Sequence, residues 1–153
     1  MKQLTHKQLI KIGKQWLKRV EGCFLVISER PADGSPETAD ILGYKSSRHS
    51  ILIECKASRA DFRKDKEKWF REEGLGMGQQ RFFLAQKGII PITEVPPGWG
   101  LIEVSGKQAT KTVSQDLLHF DQAKGWAELP LLVAELKRVN YKLESLRRKK
   151  GLS

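Results

Sequence analysis

His49-Ser50-Ile51-Leu52-Ile53-Glu54-Cys55-Lys56-Ala57-Ser58-Arg59-Ala60-Asp61-Phe62 changes its pattern halfway along. Its first half, His49–Lys56, is a strand with a continuously apolar centre, as expected where both faces are covered. Its second half opens a helix over 58–73. Ser58 is a suitable N-cap, and Asp61 stands three places on, a capping box with Asp in place of Glu or Gln. Gly74-Leu75-Gly76-Met77-Gly78 stops that helix, and Gln80–Gln86 returns as a strand. A strand, a long helix and a strand imply a parallel crossover.

Working backwards, the polar Ser46–Ser50 forms a hairpin to a second strand, Glu37–Lys45. Pro31-Ala32-Asp33-Gly34-Ser35-Pro36 is a turn region, and Cys23–Glu29 is another strand. Before it, Leu9, Ile12, Trp16, Leu17 and Val20 recur at helical spacing over 5–20, with Thr5 as N-cap. Working forwards, Gly88–Gly98 is a proline-rich loop, and Trp99–Ser105 and Lys107–Val113 are strands. A long helix runs from about 129 to 148, with Pro130 in its first turn, where a missing N–H costs nothing. Leu129, Leu132, Leu136, Val139, Leu143 and Leu146 form a 3-4-3-4 seam on it. The seam either packs on the body, the favoured reading, or pairs with a second copy as a homodimer. The order predicts one α/β domain over 1–153, with a mixed sheet flanked by helices, a core at about 5–113 and a long C-terminal helix.

The chain has 153 residues, 39% apolar and 30% charged, a globular rather than a disordered mixture. No apolar run approaches the roughly 20 residues that span a bilayer. With a polar N-terminus, this points to the cytoplasm and away from a membrane. Cys23 and Cys55 sit in apolar runs without CxxC spacing. They read as buried thiols of a reducing compartment, and four-thiolate metal sites are excluded by count. The net charge is +10. Residues 1–20 hold six basic groups and no acid, and residues 137–150 hold seven against Glu144. The remainder holds 15 basic and 17 acidic residues, so the basic ends enclose a slightly acidic centre. Such a distribution suits a protein that grips a polyanion and holds a cation in its middle.

The centre of that chemistry is Glu54 and Lys56. Strand geometry puts both on one face, about 6.6 Å apart, with Cys55 pointing the other way. Asp40 lies on the preceding strand, and the hairpin lets it approach Glu54. Two close carboxylates repel, and a divalent cation removes the repulsion. Oxygen ligation favours Mg²⁺ or Mn²⁺. Lys56 is then placed to orient an attacking water or to stabilise charge developing on phosphorus. The only other acid-x-Lys, Glu135-Leu136-Lys137, falls in a helix, where positions i and i+2 do not share a face.

Asp40, then Glu54-Cys55-Lys56 at the end of a strand in an αβββαβ order, resembles the PD-(D/E)XK nuclease superfamily. A longer run resembles the MmcB-like DNA-repair nucleases of bacteria and related phage proteins. It takes in residues 53–62, Asp65 through Lys68-Trp69, Arg81-Phe82-Phe83-Leu84-Ala85 and Gly100-Leu101-Ile102. The resemblance implies a metal-dependent DNA nuclease with Asp40 and Glu54 as metal ligands. It further implies the Cys55 backbone carbonyl as a third ligand and Lys56 as the catalytic lysine. Many relatives carry an acid in the first helix, which residues 1–20 lack. Glu37 is the substitute ranked first, ahead of Glu21 and Glu29, although a regular strand would need a bulge to turn it towards Asp40.

Lys11, Lys14, Lys18, Arg147 and Arg148 are the expected phosphate contacts in the basic ends, with Arg59 beside the strand end. Gln79 and Gln80 match positions that serve active sites in some superfamily members, although a solvated loop is the favoured reading. Trp69, Phe70, Phe82 and Phe83 read as core, and Trp99 and Trp126 as more open. His6, His49 and His119 have no metal spacing and read as solvated or locally bonded. Two other readings remain: a non-catalytic nucleic-acid-binding module on the same fold, and a protein docking an acidic partner.

Overall fold

A computed structural model describes residues 2–30, 39–65, 76–115 and 122–152. The first helix, α1 (His6–Arg19), precedes three strands, β1 (Leu25–Arg30), β2 (Ala39–Ser46) and β3 (His49–Lys56). A second helix, α2, is described over Arg59–Asp65. After it come β4 (Gln80–Gln86), a 3-10 turn (Ile92–Glu94), β5 (Gly100–Ser105), β6 (Gln108–Val113) and the long helix α3 (Gln122–Lys149). The six strands form one mixed sheet in sequence order. β1, β2 and β3 are antiparallel neighbours, β3–β4 and β4–β5 are parallel, and β6 returns antiparallel. The β3 and β4 limits match the sequence reading. Glu37, Pro36, Trp69, Phe70, His119 and residues 66–73 of the expected second helix lie outside the described residues.

Each face of the sheet carries its own core. On one face Leu9, Ile10, Trp16 and Leu17 of α1 pack on Ile41, Ile51, Ile53, Cys55, Phe82, Leu84 and Ile102. A capping box fixes where α1 starts: Thr5 Oγ1 accepts from Gln8 N–H, and the Gln8 side chain accepts from Thr5 N–H. Gly13 lets the helix lie close, because a Cβ there would stand 2.5 Å from Ile41 Cδ1 and 2.9 Å from Leu84 Cδ2. On the other face Leu42, Leu52, Phe62, Met77, Phe83, Trp99 and Leu131 form the second core. Trp99 is therefore buried rather than open. Its ring stacks on Phe83 at 4.4 Å, and Phe62 meets Phe83 edge-on at 5.1 Å.

α3 departs from its sequence reading in two ways. It begins at Gln122, so Pro130 lies inside the helix rather than in its first turn. A proline there removes one backbone hydrogen bond, yet buried side chains on both sides hold the segment. Those side chains, Glu128 and Leu131, define the buried stripe. Only the start of the leucine seam packs on the body: Leu132 is partly buried against the core, whereas Leu129, Val139, Leu143 and Leu146 are exposed, and Leu136 is 61% exposed. Most of the seam lies off the docking face, which begins with a charged residue, Glu128.

Glu128 pins α3 to the sheet. One carboxylate oxygen accepts from Ser50 Oγ at 2.6 Å and from Gly78 N–H at 2.8 Å, and the other accepts from Tyr44 Oη at 2.7 Å. Burial, reinforced by the Glu128 charge and hydrogen bond, pushes the Tyr44 phenol well above its ordinary range, so it stays a donor. Gly78 has φ +85°, and a Cβ there would stand 2.7 Å from Leu52 Cβ, so glycine alone fits this turn. No helix among the described residues is long and apolar enough to cross a membrane. Both cysteines are free and buried. Burial, with Glu21 nearby, raises the Cys23 thiol to about 11.

Candidate active site

β3 is a central strand, so its alternate side chains enter opposite cores. Cys55 joins Ile51 and Ile53 under α1, while Glu54 and Lys56 follow Leu52 onto the α2 face. The two-residue periodicity thus places the carboxylate and the ammonium together, as expected. They are 3% and 5% exposed. Lys56 Nζ stands 3.9 Å from Glu54 Oε2 and 3.0 Å from Asp65 Oδ1, and 6.0 Å from the centre of the Phe83 ring. One ammonium therefore meets two carboxylates in a buried setting, where unpaired charge is costly.

Asp65 is the residue that the sequence reading missed. It lies on α2 and is only 2% exposed. The helix that carries it starts at Ser58, whose Oγ accepts from Asp61 N–H at 3.1 Å. Asp61 in turn accepts from Ala57 N–H at 3.3 Å. Asp61 is thus committed to capping, as expected. Phe62 and Asp65, three residues apart, share the buried side of the helix. That spacing was available in the sequence and could have identified Asp65.

Asp40 sits where β2 and β3 part. Their last registered pair at this end is Ile41 with Ile53. One residue further, the Asp40 carboxylate accepts from Cys55 N–H at 2.8 Å, in place of a strand carbonyl. His6 Nε2, at the start of α1, lies 3.2 Å from the same oxygen and forms an ion pair when the ring is protonated. His6 is therefore not merely solvated. No spacing rule in the sequence links positions 6 and 40.

The other expected contacts divide. Arg59 forms an ion pair with Glu94. Gln79 is corrected: it is 1% exposed and its side-chain oxygen accepts from Ser50 N–H at 2.8 Å. Gln80 bonds His49 at 2.8 Å and the Gln115 carbonyl at 2.7 Å. Both glutamines stand at the amino-terminal end of β3, about 20 Å along the strand from Lys56. Buried hydrogen bonds to Ser50 commit Gln79 to structure, while Gln80 is partly buried between His49 and the Gln115 carbonyl. Lys11, Lys14 and Lys18 lie along α1. Arg148, at the end of α3, is 3.8 Å from Glu144.

Among the described residues, no three His, Cys, Asp or Glu side chains gather into a metal-holding group. The donor set at the β3 end is nevertheless of the right chemistry. Asp40 and Glu54 are oxygen donors on neighbouring strands, and the Cys55 carbonyl lies between Glu54 and Lys56 in the chain. A Mg²⁺ ion commonly takes only one or two carboxylates, with water and phosphate completing the shell.

No family model matches the chain, and no curated protein matches it. A solved structure, a protein of unknown function from Silicibacter pomeroyi, is similar in fold. Its TM-score is 0.63 at 22% identity, over 98% of this chain and 97% of that one. The likeness extends to nearly the whole of both chains and concerns the fold alone.

Proposed function

We propose that this chain is a Mg²⁺- or Mn²⁺-dependent DNA nuclease built on the PD-(D/E)XK plan. The observation that carries this reading is the buried Glu54–Lys56 pair at the carboxyl end of a central strand, with Asp40 at the adjoining strand break. Asp40, Glu54 and the Cys55 carbonyl would hold the metal. It would supply Lewis acidity at a phosphate oxygen and a water of lowered pKa.

The chain's own residues account for the rest. Lys56 presents a fixed positive charge where negative charge grows on the phosphate oxygens during attack. Such preorganised stabilisation is worth about a hundredfold to a thousandfold in rate. Asp65 is a positioning residue. Its 3.0 Å bond holds the Lys56 ammonium beside Glu54 and limits its rotation. His6 Nε2, 3.2 Å from an Asp40 carboxylate oxygen, shares that oxygen with any cation held there.

The test is cleavage of duplex, single-stranded, nicked and branched DNA with Mg²⁺ or Mn²⁺, wild type beside Lys56→Ala. The reading expects cutting of at least one substrate by wild type and a loss of about a hundredfold or more in the variant. Absence of cutting on all of them by folded protein removes it. A second reading is a non-catalytic DNA-binding module. It is favoured by the engagement of the Asp40 carboxylate with the Cys55 amide and His6. That reading expects salt-sensitive binding that is indifferent to divalent metal.

A further inference from the structure

α1 does not cover the whole sheet. Along the edge strand β1 it leaves a groove of about 340 Å³, lined by Lys7, Ile10, Lys11, Lys14, Lys18 and Ser28. The lysines fall at i, i+4, i+7 and i+11, one stripe of the helix. It is about 16 Å long. No ion-pair partner faces any of the four among the described residues, and α1 contains no acid. The contrast is with Lys45 and Lys111, which both bond Glu21. The groove floor is Ile10 and Ser28, and lysine stems form its wall. A nucleotide-sized space with an uncharged floor and a cationic rim suits a sugar-phosphate backbone.

The groove also runs towards Asp40, the member of the candidate site that contacts α1. Ser28 pairs with Ile41 across β1–β2, next to Asp40. Lys7 follows His6, which contacts Asp40. We propose that this groove carries a single strand of DNA on one side of the scissile phosphate, held through its phosphates by Lys7, Lys11, Lys14 and Lys18. The direction of the strand rests on the nuclease reading. The binding itself requires neither metal nor cleavage.

The test measures binding of a labelled single-stranded oligonucleotide by anisotropy across a salt series, with chelator present. Each phosphate contact contributes about 0.7 to the slope of log K against log salt. The Lys11→Ala, Lys14→Ala double variant should therefore lower that slope by about 1.4. Ser28→Trp fills the floor without changing charge, and should weaken binding by about tenfold while thermal melting stays cooperative. Should that strand variant fail to fold, Gln15→Trp on the exposed wall of α1 replaces it, with the same expectation. An unchanged slope in the lysine variant overturns the proposal. So does a lowered slope with unaffected binding in the filled-groove variant, since the lysines would then act only as a diffuse field. Groove-dependent binding with no cleavage of any DNA supports the groove and removes the nuclease reading. Cleavage by a protein whose groove variants bind normally does the reverse.

Discussion

The two ends of β3 both bury charge on the same face of the sheet, and they handle it differently. At the amino-terminal end, the donors that Glu128 meets among the described residues are neutral: Tyr44, Ser50 and the Gly78 amide. Its contacts tie α3, β2, β3 and the turn before β4 together. At the carboxyl-terminal end, Lys56 stands between the Glu54 and Asp65 carboxylates, and Asp40, bonded to the Cys55 amide on the neighbouring strand, is still partly open to solvent. A buried charge solvated by neutral dipoles holds architecture in place. Opposite charges that meet one another in a buried setting are instead candidates for a ligand site or a reaction.

The comparison can be broken by mutating each end. Glu128→Ala removes the shared acceptor of three buried donors. It should cost about 3 kcal/mol and lower the melting temperature by about 10 °C. Glu54→Gln keeps the side-chain volume and removes one of two carboxylates beside Lys56. Its stability should stay within about 1 kcal/mol of wild type, read by chemical denaturation. Equal losses at the two ends would erase the distinction.

A smaller effect sharpens it from outside. Glu21 joins β2 to β6 by accepting from Lys45 at 3.2 Å and from Lys111 at 2.8 Å. Burial alone would raise its pKa, but the two lysines outweigh it and the net shift is downward. A carboxylate lowered in the folded state adds stability above its unfolded value of about 4.3, and that stability is lost as pH falls through the folded value. Glu21→Gln should thus cost under about 1 kcal/mol at neutral pH. The difference from wild type should vanish in acid, as denaturation midpoints at pH 7 and below pH about 4 would show.

What was legible in the sequence follows the same division. The limits of β3 and β4 were readable because continuous apolar runs stand between a hairpin, a capped helix and a glycine stop. Glu54 and Lys56 were readable because a strand has a strict two-residue period. α3 was misplaced because proline was treated as a helix start, although tertiary contacts from Glu128 and Leu131 hold the helix through it. Glu128 was invisible to an apolar periodicity, which discounts charged residues at the first buried position. Asp65 was overlooked behind the capping role of Asp61. The His6–Asp40 contact joins residues far apart in sequence, through the packing of α1 on the sheet, and no local pattern encodes that.

Under the proposed function the carboxyl end of β3, and not the Glu128 end, holds a divalent cation. Calorimetric titration of Mn²⁺ into wild type, Asp40→Asn, Glu54→Gln and Glu128→Ala, below the melting point of each, tests it without relying on a substrate. Binding by wild type and by Glu128→Ala is expected, with affinity at least about tenfold weaker in the Asp40 and Glu54 variants. No binding by wild type, or equal binding by all four, would contradict it.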